Sequence, residues 1–399
     1  PAGPAHSILA FTPSGVPSAH ALTKGPTKTL LDTMIDFSFE TLRRLGLTPA
    51  MAQTLATVDA AASPLHDNSP PQWMRATAVH RETIDVHDGA RQHSARCTTR
   101  LTRELKDHDF ALAVGDWVLC TEDEHQQWWL AQRVAPLSQI VRRDADGGRH
   151  TVVSNVDTAL LVMGLDLDFN LQRLERYLAL VGSSGVLPVV VLTKADIAQS
   201  GTPDAVSQRM QQVRARVGHH VDVVAVDARS EAATKALQPY LGMGQTLVML
   251  GSSGAGKSTL TNSLLGCATQ DTGAVRVHDS RGKHTTTARS LHLLPTGACV
   301  IDTPGVRTLR PDVDAEALGH LFEDISTLAD QCRFRNCSHQ DEPDCAVRVH
   351  VNPLRLKNYH KLLRETRRDS MGALERQSQL AQWKSRTKAG RQRRAMERE

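Results

Sequence analysis

A strand-like apolar run that leads directly into a glycine-rich loop and a helix restricts the possible folds more than any other feature. The run TLVML is followed by Gly251-Ser-Ser-Gly-Ala-Gly-Lys257-Ser258-Thr259, which fits the pattern G-x-x-x-x-G-K-[ST]. The backbone N–H groups of such a loop and the start of the following helix surround an anion. The pattern therefore predicts a parallel α/β sheet with a phosphate-binding loop at the end of one strand. A glycine-rich turn without a ligand is the alternative, but it does not explain the Lys-Ser pair in register.

The residues of this loop have different predicted roles. Lys257 would bring positive charge to the β- and γ-phosphates, which makes it a catalytic candidate, and Ser258 would offer its hydroxyl to Mg²⁺. The predicted nucleotide contacts of the loop are Gly251, Ser252, Ser253, Gly254, Ala255, Gly256, Lys257, Ser258 and Thr259.

A second apolar strand, ACVIDTPG, supplies further candidates. Asp302 at its end would reach Mg²⁺ through water, and the backbone N–H of Gly305 would bind a γ-phosphate. Between the two strands lies RGKHTTT, in which one of Thr285, Thr286 and Thr287 would close over Mg²⁺; Thr286 is taken as the candidate.

The sequence also contains a base-reading motif. Thr193-Lys194-Ala195-Asp196 follows the apolar run VLPVVVL and fits [NT]-K-x-D. The carboxylate of Asp196 would accept hydrogen bonds from guanine N1–H and its 2-amino group, a donor pair that adenine lacks. Lys194 would lie along the base plane. A four-residue match also arises by chance, but its place after a buried strand in a phosphate-loop protein favours guanine recognition.

The order of these motifs is unusual. GTPases normally place the phosphate loop first and the guanine box last, whereas here the guanine box precedes Gly251. The chain resembles the circularly permuted GTPases of the ribosome small-subunit-dependent GTPase A family (RsgA, also called YjeQ). The resemblance extends from about Arg75 to Arg394 and rests on VGDWV, T-K-x-D, GSSGAGKST, GKHTTT, DTPGVR and a cysteine cluster.

The resemblance implies an activity and a partner. Members of the family hydrolyse GTP, are stimulated by the small (30S) ribosomal subunit and act late in its maturation. They are thought to use a switch-loop histidine, which corresponds to His284 here; an exposed histidine without a role is the alternative. Val306 stands where many GTPases carry a water-orienting glutamine, so we expect slow intrinsic hydrolysis.

Three of the seven cysteines are clustered. The series Cys332-x4-Cys337-x-His339-x5-Cys345 offers three thiolates and an imidazole, a set suited to tetrahedral structural Zn²⁺ with no open coordination position. The same four ligand positions occur in the family that the chain resembles. Chance clustering or a redox pair is the alternative. The other cysteines are scattered and too few for a secreted disulfide scaffold.

The net charge of +4 is unevenly distributed. Residues 351–399 contain fourteen Lys and Arg against five Asp and Glu, an excess of nine, so the rest of the chain carries about −5. The basic tail predicts attraction to a polyanion such as 16S rRNA, unless it is simply a solvated helix. No run approaches the roughly 20 apolar residues that span a bilayer, so we expect a cytoplasmic protein without membrane contact.

Strand patterns and composition divide the chain into a multidomain protein. We predict a leader (1–70), partly disordered with a short helical region; an OB-like β-barrel (71–150); a circularly permuted α/β P-loop GTPase domain (151–312); and an α-helical zinc-binding domain with a basic tail (313–399). Pro1 is not a natural initiator, and Met34 is a candidate start.

Aromatic and basic residues are interleaved within the predicted barrel. They are interpreted either as an RNA-binding surface that stacks bases and contacts phosphates or as packing, which is the favoured interpretation for any single tryptophan: Trp117, Trp128, Trp129, Arg133, Arg142 and Arg143.

Three functions are consistent with this pattern. The first is a monomeric GTPase that binds the 30S subunit and 16S rRNA, with Mg²⁺ beside GTP or GDP and one structural Zn²⁺. The second is an RNA-binding module whose nucleotide site only gates affinity. The third is an ATP-dependent phosphate-loop enzyme, which Asp196→Asn would separate from a guanine reader.

Overall fold

The computed structural model describes residues 37–58, 70–144, 147–201, 204–218, 220–266, 289–304 and 310–370. The helices in these ranges are α1 Phe39–Arg43, α2 Pro49–Ala56, α3 Thr99–Asp107, α4 Leu171–Gly182, α5 Ala195–Gly201, α6 Ala205–Val217, α7 Glu231–Leu237, α8 Lys257–Leu265, α9 Ala315–Leu321, α10 Glu323–Ala329, α11 Ala346–His350 and α12 Pro353–Ser370. The strands are β1 Gln72–Val79, β2 Ile84–His87, β3 Gln92–Cys97, β4 Trp117–Glu122, β5 Trp128–Arg133, β6 Gln139–Arg143, β7 Arg149–Ser154, β8 Thr158–Gly164, β9 Leu187–Thr193, β10 Asp222–Ala225, β11 Thr246–Gly251, β12 Ser290–Leu293 and β13 Cys299–Asp302. Across these ranges, every helix is too short or too polar to span a bilayer.

Strands β1 to β5 form a closed barrel. β1 pairs with both β2 and β4, and β2 pairs with β3. β5 closes the barrel by pairing antiparallel with β4 and parallel with β3. Helix α3 connects β3 to β4, and the hydroxyl of Thr98 caps its first turn. The interior is apolar, with Met74, Val86, Val118 and Leu130 in its centre. The predicted barrel is therefore confirmed.

Helices α1 and α2 pack on the outside of this barrel. Ser38 caps α1, and Thr48 caps α2 ahead of Pro49 at the first helical position. Both helices, with the turn between them, contribute to one apolar cluster with the barrel wall: Leu42, Leu45, Leu47, Met51, Leu55, Trp73, Trp117, Leu119 and Val134. Part of the outer barrel surface is therefore covered by the chain segment that precedes it.

The remaining long strands form a doubly wound sheet. Its order is β10-β9-β8-β11-β13-β12, with the first five strands parallel and β12 antiparallel to β13. Both faces are covered, with Leu161 and Leu192 in one apolar cluster and Leu160 and Val191 in the other. Burial on both faces explains the continuous Val and Leu runs of the sequence. The guanine-box strand β9 precedes the phosphate-loop strand β11 in the chain, so the predicted permuted GTPase fold is confirmed.

The barrel and the sheet are connected by strand pairing. A single residue pair, Ala78 with Ser290, joins β1 to β12 and makes one continuous eleven-stranded sheet. Strands β6 and β7 form a separate hairpin. Arg142 and Arg143, which the sequence pattern grouped with the barrel, lie on this hairpin because β6 pairs with β7 rather than with a barrel strand.

The C-terminal helices α9 to α12 surround their own apolar cluster. Phe322, Ile325, Val347 and Leu362 are buried in it, and Ala179 of α4 contributes from the side of the sheet. Helix α4 therefore packs against both the doubly wound sheet and the C-terminal helices.

Candidate active site

Four parallel strands end side by side at one edge of the sheet. The register pairs Gly164 of β8 with Thr193 of β9, and Met249 of β11 with Asp302 of β13. Gly251 ends β11 between these two pairs. The predicted phosphate loop, guanine box and magnesium carboxylate are therefore brought together at the carboxyl ends of neighbouring strands, where ligands bind in such folds.

The phosphate loop has the backbone conformation that its glycines permit. Gly254 and Gly256 have φ angles of +81° and +97°, a region that other residues rarely adopt. A Cβ atom at Gly251 would collide with the carbonyl oxygen of Val162. Gly256 caps α8, which begins at Lys257, so the positive end of the helix faces the loop. Ser253 and Gly254 are exposed at the tip, and Ala255 is buried beneath them.

The side chain of Lys257 lies inside the loop. Its Nζ donates to the carbonyl oxygens of Gly251 at 3.0 Å and Ser252 at 2.9 Å. Burial lowers the pKa of Lys257, while the nearby carboxylates of Asp302 and Asp168 act in the opposite direction. The ammonium group is thus held among carbonyl oxygens that phosphate oxygens would replace.

Asp302 is a buried carboxylate with an open acceptor. The residue is 3% exposed, and its Oδ1 atom accepts no hydrogen bond within the described residues. Burial raises the pKa of the Asp302 carboxyl, while Lys257 acts to lower it. The open carboxylate oxygen of Asp302 and the hydroxyl of Ser258, half-buried in the first turn of α8, are oxygen ligands of the kind that a hard cation such as Mg²⁺ takes.

The guanine box is attached to the phosphate loop. Thr193 Oγ1 donates to the carbonyl oxygen of Ala255 at 2.5 Å, and a Cβ at Gly256 would lie 3.1 Å from the same hydroxyl. Lys194 has a φ of +61°. Asp196 lies in the first turn of α5, where it is exposed. Its carboxylate is therefore accessible to a base beside the loop.

Two carboxylates near these motifs were missed by the sequence reasoning. Asp166 contacts Lys194 Nζ at 2.7 Å, and Asp168 contacts Ser252 Oγ at 2.5 Å. Both follow β8 in the segment GLDLD. Their place directly after a buried parallel strand is the signal that would have found them.

Three predicted nucleotide-site residues lie outside the described ranges. They are the switch histidine His284, the switch threonine Thr286, and Gly305 after Asp302.

The structure brings the four predicted metal-ligating side chains together in a group that could hold a metal ion. The ligand atoms of Cys332, Cys337, His339 and Cys345 all lie within 4.8 Å of one another. The Sγ atoms of Cys332 and Cys345 are 3.9 Å apart, and they lie 3.6 and 3.5 Å from His339 Nδ1. Tetrahedral zinc bonds of about 2.3 Å to sulfur and about 2.0 Å to nitrogen give separations of roughly 3.8 and 3.5 Å. Cys332, His339 and Cys345 therefore have the separations expected around Zn²⁺, and the Sγ atom of Cys337 lies within 4.8 Å of the other three ligand atoms.

Neighbouring elements hold these ligands in place. Cys345 caps α11, with its Sγ accepting from the N–H of Arg348 at 3.5 Å. The carbonyl oxygen of His339 lies 3.3 Å from Nε2 of His360 on α12. Arg333, one of the flanking arginines in the sequence, is exposed and pairs with Asp344 at 2.9 Å.

The tryptophans of the barrel are mainly packing residues, as the packing interpretation predicts for each of them individually. Trp117 is fully buried and Trp128 is 7% exposed, because α1 and α2 cover one and the barrel core encloses the other. Trp129 is half-buried and donates from Nε1 to Asp123 at 2.9 Å.

The arginines of the same group are paired with carboxylates. Arg133 donates to both oxygens of Asp116 at 2.8 and 3.0 Å. The other two ion pairs are Arg142 with Asp144 at 3.0 Å and Arg143 with Asp312 at 2.7 Å. Sequence alternation alone did not reveal these acidic partners.

Comparison with known proteins identifies close relatives. The model of the RsgA GTPase family matches residues 134–311. A Vibrio vulnificus protein named small ribosomal subunit biogenesis GTPase RsgA 2 is 40% identical over 353 residues, which cover 86% of this chain and 93% of that protein. A Xanthomonas oryzae pv. oryzae protein named small ribosomal subunit biogenesis GTPase RsgA is 46% identical over 258 residues, covering 63% of this chain and 68% of that protein.

A solved structure has the same fold. The crystal structure of YjeQ from Thermotoga maritima superposes with a TM-score of 0.53 at 23% sequence identity, covering 74% of this chain and 98% of that one.

Proposed function

Because this chain belongs to the RsgA family of GTPases, we propose that it hydrolyses GTP to GDP and phosphate on the small (30S) ribosomal subunit, late in the maturation of that subunit. The observation that carries the proposal is the convergence of guanine box, phosphate loop and Asp302 at one sheet edge, in permuted chain order. The names of two related proteins, small ribosomal subunit biogenesis GTPase RsgA 2 and small ribosomal subunit biogenesis GTPase RsgA, support it.

The proposed substrate contacts follow from the geometry of the site. The N–H groups of residues 251–259 and the ammonium of Lys257 bind the phosphates, and Asp196 binds the guanine edge, with Thr193 holding the two motifs together. Ser258 and Asp302 are the candidate Mg²⁺ ligands. When bound, Mg²⁺ neutralises charge that develops on the phosphate oxygens.

Hydrolysis on this chain is mainly a matter of positioning. The fixed loop N–H groups and Lys257 stabilise the charge of the transferred phosphoryl group, which needs little covalent chemistry from the protein. His284 remains the proposed water-positioning residue, Thr286 the proposed Mg²⁺ contact and the N–H of Gly305 the proposed γ-phosphate contact. Because the residue after Gly305 is Val306 rather than glutamine, we propose that full activity requires the ribosomal subunit.

We propose that the partner surface is ribosomal RNA. The strand order β1-β2-β3-β5-β4-β1 with a helix between β3 and β4 matches the OB fold, a common nucleic-acid-binding barrel. The basic segment after Val351 would add attraction to 16S rRNA. The proposed domains have the boundaries 71–150, 151–312 and 313–399, in a cytoplasmic monomer.

We also propose one structural Zn²⁺ on Cys332, Cys337, His339 and Cys345. The support is the separation of their ligand atoms, all within 4.8 Å. With four protein ligands, the ion would connect the loops between α10 and α11 and take no part in hydrolysis.

A GTPase assay with and without purified 30S subunits tests the proposal. We expect the subunits to raise turnover, and Lys257→Ala to abolish both the basal and the stimulated rate. Turnover that the subunits do not change would refute the ribosome-coupled function. RNA binding that survives Lys257→Ala and ignores GTP analogues would instead favour an RNA-binding module.

A further inference from the structure

The loop between β8 and α4 contacts both nucleotide motifs through two carboxylates. Oδ2 of Asp166 accepts from Lys194 of the guanine box at 2.7 Å. Oδ1 of Asp168 accepts from the hydroxyl of Ser252 in the phosphate loop at 2.5 Å. Residues two positions apart thus reach the base-reading and the phosphate-reading parts of one site.

The Asp168 carboxylate is fixed from several directions. Its Oδ2 accepts from the N–H of Gly164 at 3.0 Å, and its Oδ1 accepts from Arg173 on α4 at 2.5 Å. Its own N–H donates to Asp166 Oδ1 at 3.1 Å. The side chain is only 13% exposed. β8 and α4 therefore set its position independently of the phosphate loop.

Ser252 is a sensitive point of that loop. Its carbonyl oxygen accepts from Lys257 Nζ at 2.9 Å, so the orientation of Ser252 also orients the lysine. A loop that is already ordered loses less conformational freedom when it binds phosphates. The negative charge of Asp168 would repel phosphates, but Arg173 offsets it at 2.5 Å.

We propose that Asp168 is a positioning residue for GTP: through Ser252 it holds the phosphate loop in its binding conformation. This inference rests on the proposed function, because it requires that the loop binds GTP. It assigns Asp168 to the phosphates, whereas Asp166 acts on the guanine box.

A double-mutant cycle on the full-length chain tests the proposal. Affinities for fluorescent GDP and GTP are measured for the wild type, Asp168→Ala, Ser252→Ala and the double variant. We expect each single variant to weaken binding about tenfold, as for the loss of one charge-assisted hydrogen bond. The double variant should be no weaker than either single variant, because both remove the same contact. The preference for GTP over ATP should persist, since the guanine box is unchanged.

Leu167→Ala is the matched control, because Leu167 lies between the two aspartates and is fully exposed. It should bind as the wild type does. Melting temperatures separate a local effect on the loop from general unfolding. Asp168→Asn keeps an acceptor oxygen for Ser252, so it should bind more tightly than Asp168→Ala, and Ser252→Ala alone carries the test if Asp168→Ala does not fold.

The outcomes distinguish a failure of the proposed function from a failure of the positioning role of Asp168. A wild-type chain that does not bind GTP would remove the proposed function itself. If the wild type binds GTP but Asp168→Ala binds equally well, or if the two single effects simply add, only the positioning role is overturned.

Discussion

The barrel and the C-terminal helices contact the nucleotide-binding sheet through opposite chemistry. At the barrel side the central residue is Arg75, which is fully buried and uses neutral acceptors: the carbonyl oxygens of Leu45, Gly115 at 3.2 Å and Asn155 at 2.6 Å, and the hydroxyl of Thr246 at 2.8 Å. Its guanidinium also lies 5.4 Å from the centre of the Trp117 ring. We call this set of contacts the Arg75 junction.

At the other side the central residue is an acid. Glu175 on α4 is fully buried and accepts from Arg355 at 2.7 Å, Arg216 at 3.0 Å and Asn358 at 2.5 Å. Burial would lower the pKa of Arg355, but Asp324 and Glu175 raise it. We call these contacts the Glu175 junction, and further ion pairs surround it, including Arg176 with Glu365 at 2.8 Å.

The two junctions differ in how easily their side chains can change partners. Separating the Arg75 junction would leave a buried cation without its acceptors, and burial already lowers the pKa of Arg75. The Glu175 junction is a network in which ions can exchange partners, and α4 links it to the Asp168 loop. We therefore expect the barrel and the sheet to move as one body, and nucleotide-dependent changes to reach the C-terminal helices.

Removal of zinc should have the largest effect on folding stability, and it should affect only the C-terminal helices. We expect native mass spectrometry to show one zinc per chain, absent in Cys337→Ser, and amide hydrogen exchange to show lost protection in α9 to α11. Structural zinc contributes on the order of 10 kcal/mol to folding in small domains. The barrel should remain protected.

Cys97→Ser is the control for the zinc prediction, since Cys97 lies in the barrel, outside the cluster. It should retain the metal. A zinc-free wild type with protected C-terminal helices would contradict the assignment.

Replacing Arg75 should be the next largest effect. We expect Arg75→Met to lower the free energy of unfolding in urea by about 3–5 kcal/mol, because buried acceptors lose their donors. Arg103→Met on the exposed side of α3 should change it little. If Arg75→Met instead lost amide hydrogen-exchange protection only in α12, the two junctions would not be independent.

Neutralising Glu175 should lower the free energy of unfolding by less than replacing Arg75 does. We expect Glu175→Gln to lower the free energy of unfolding by about 2–3 kcal/mol, since Arg355 keeps its pair with Asp324 at 2.6 Å. The loss of hydrogen-exchange protection should be centred on α12. Glu40→Gln removes an exposed pair with Arg43 and should have almost no effect; equal losses in both variants would refute the special role of the buried acid.

The smallest effect should be a pH dependence of folding stability that arises from Asp369 in the C-terminal helices. Burial raises the pKa of Asp369, although Arg310 and Arg143 act to lower it. The folded chain thus holds this proton more tightly than the unfolded chain, so the stability that Asp369 contributes is lost as pH rises from about 3.8 through the raised value. Asp369→Asn should flatten the acidic part of the stability profile. An unchanged profile would assign the pH dependence to other groups.

The sequence predicted the parts of this molecule whose chemistry is local. The phosphate loop, the guanine box and the four metal ligands each lie within about fourteen positions, so spacing alone indicated them. Both junctions escaped prediction because their partners are distant: Arg75 and Thr246 are 171 residues apart, and Glu175 and Arg355 are 180. Packing was the favoured interpretation for Trp117, but alternation in a strand does not reveal which segment covers the side chain.

The permuted order of the strands also determines how the sheet is assembled as the chain is synthesised. β8, β9 and β10 are made first and pair with one another in sequence. All seven residues of β8 are buried in the finished sheet, yet the neighbour of its other edge, β11, begins only at Thr246. A nascent chain that has not reached Thr246 therefore exposes the unpaired edge of a mainly apolar strand, the kind of surface that recruits other chains. The arrangement that places the guanine box first thus creates a period during synthesis when this protein is most in need of protection.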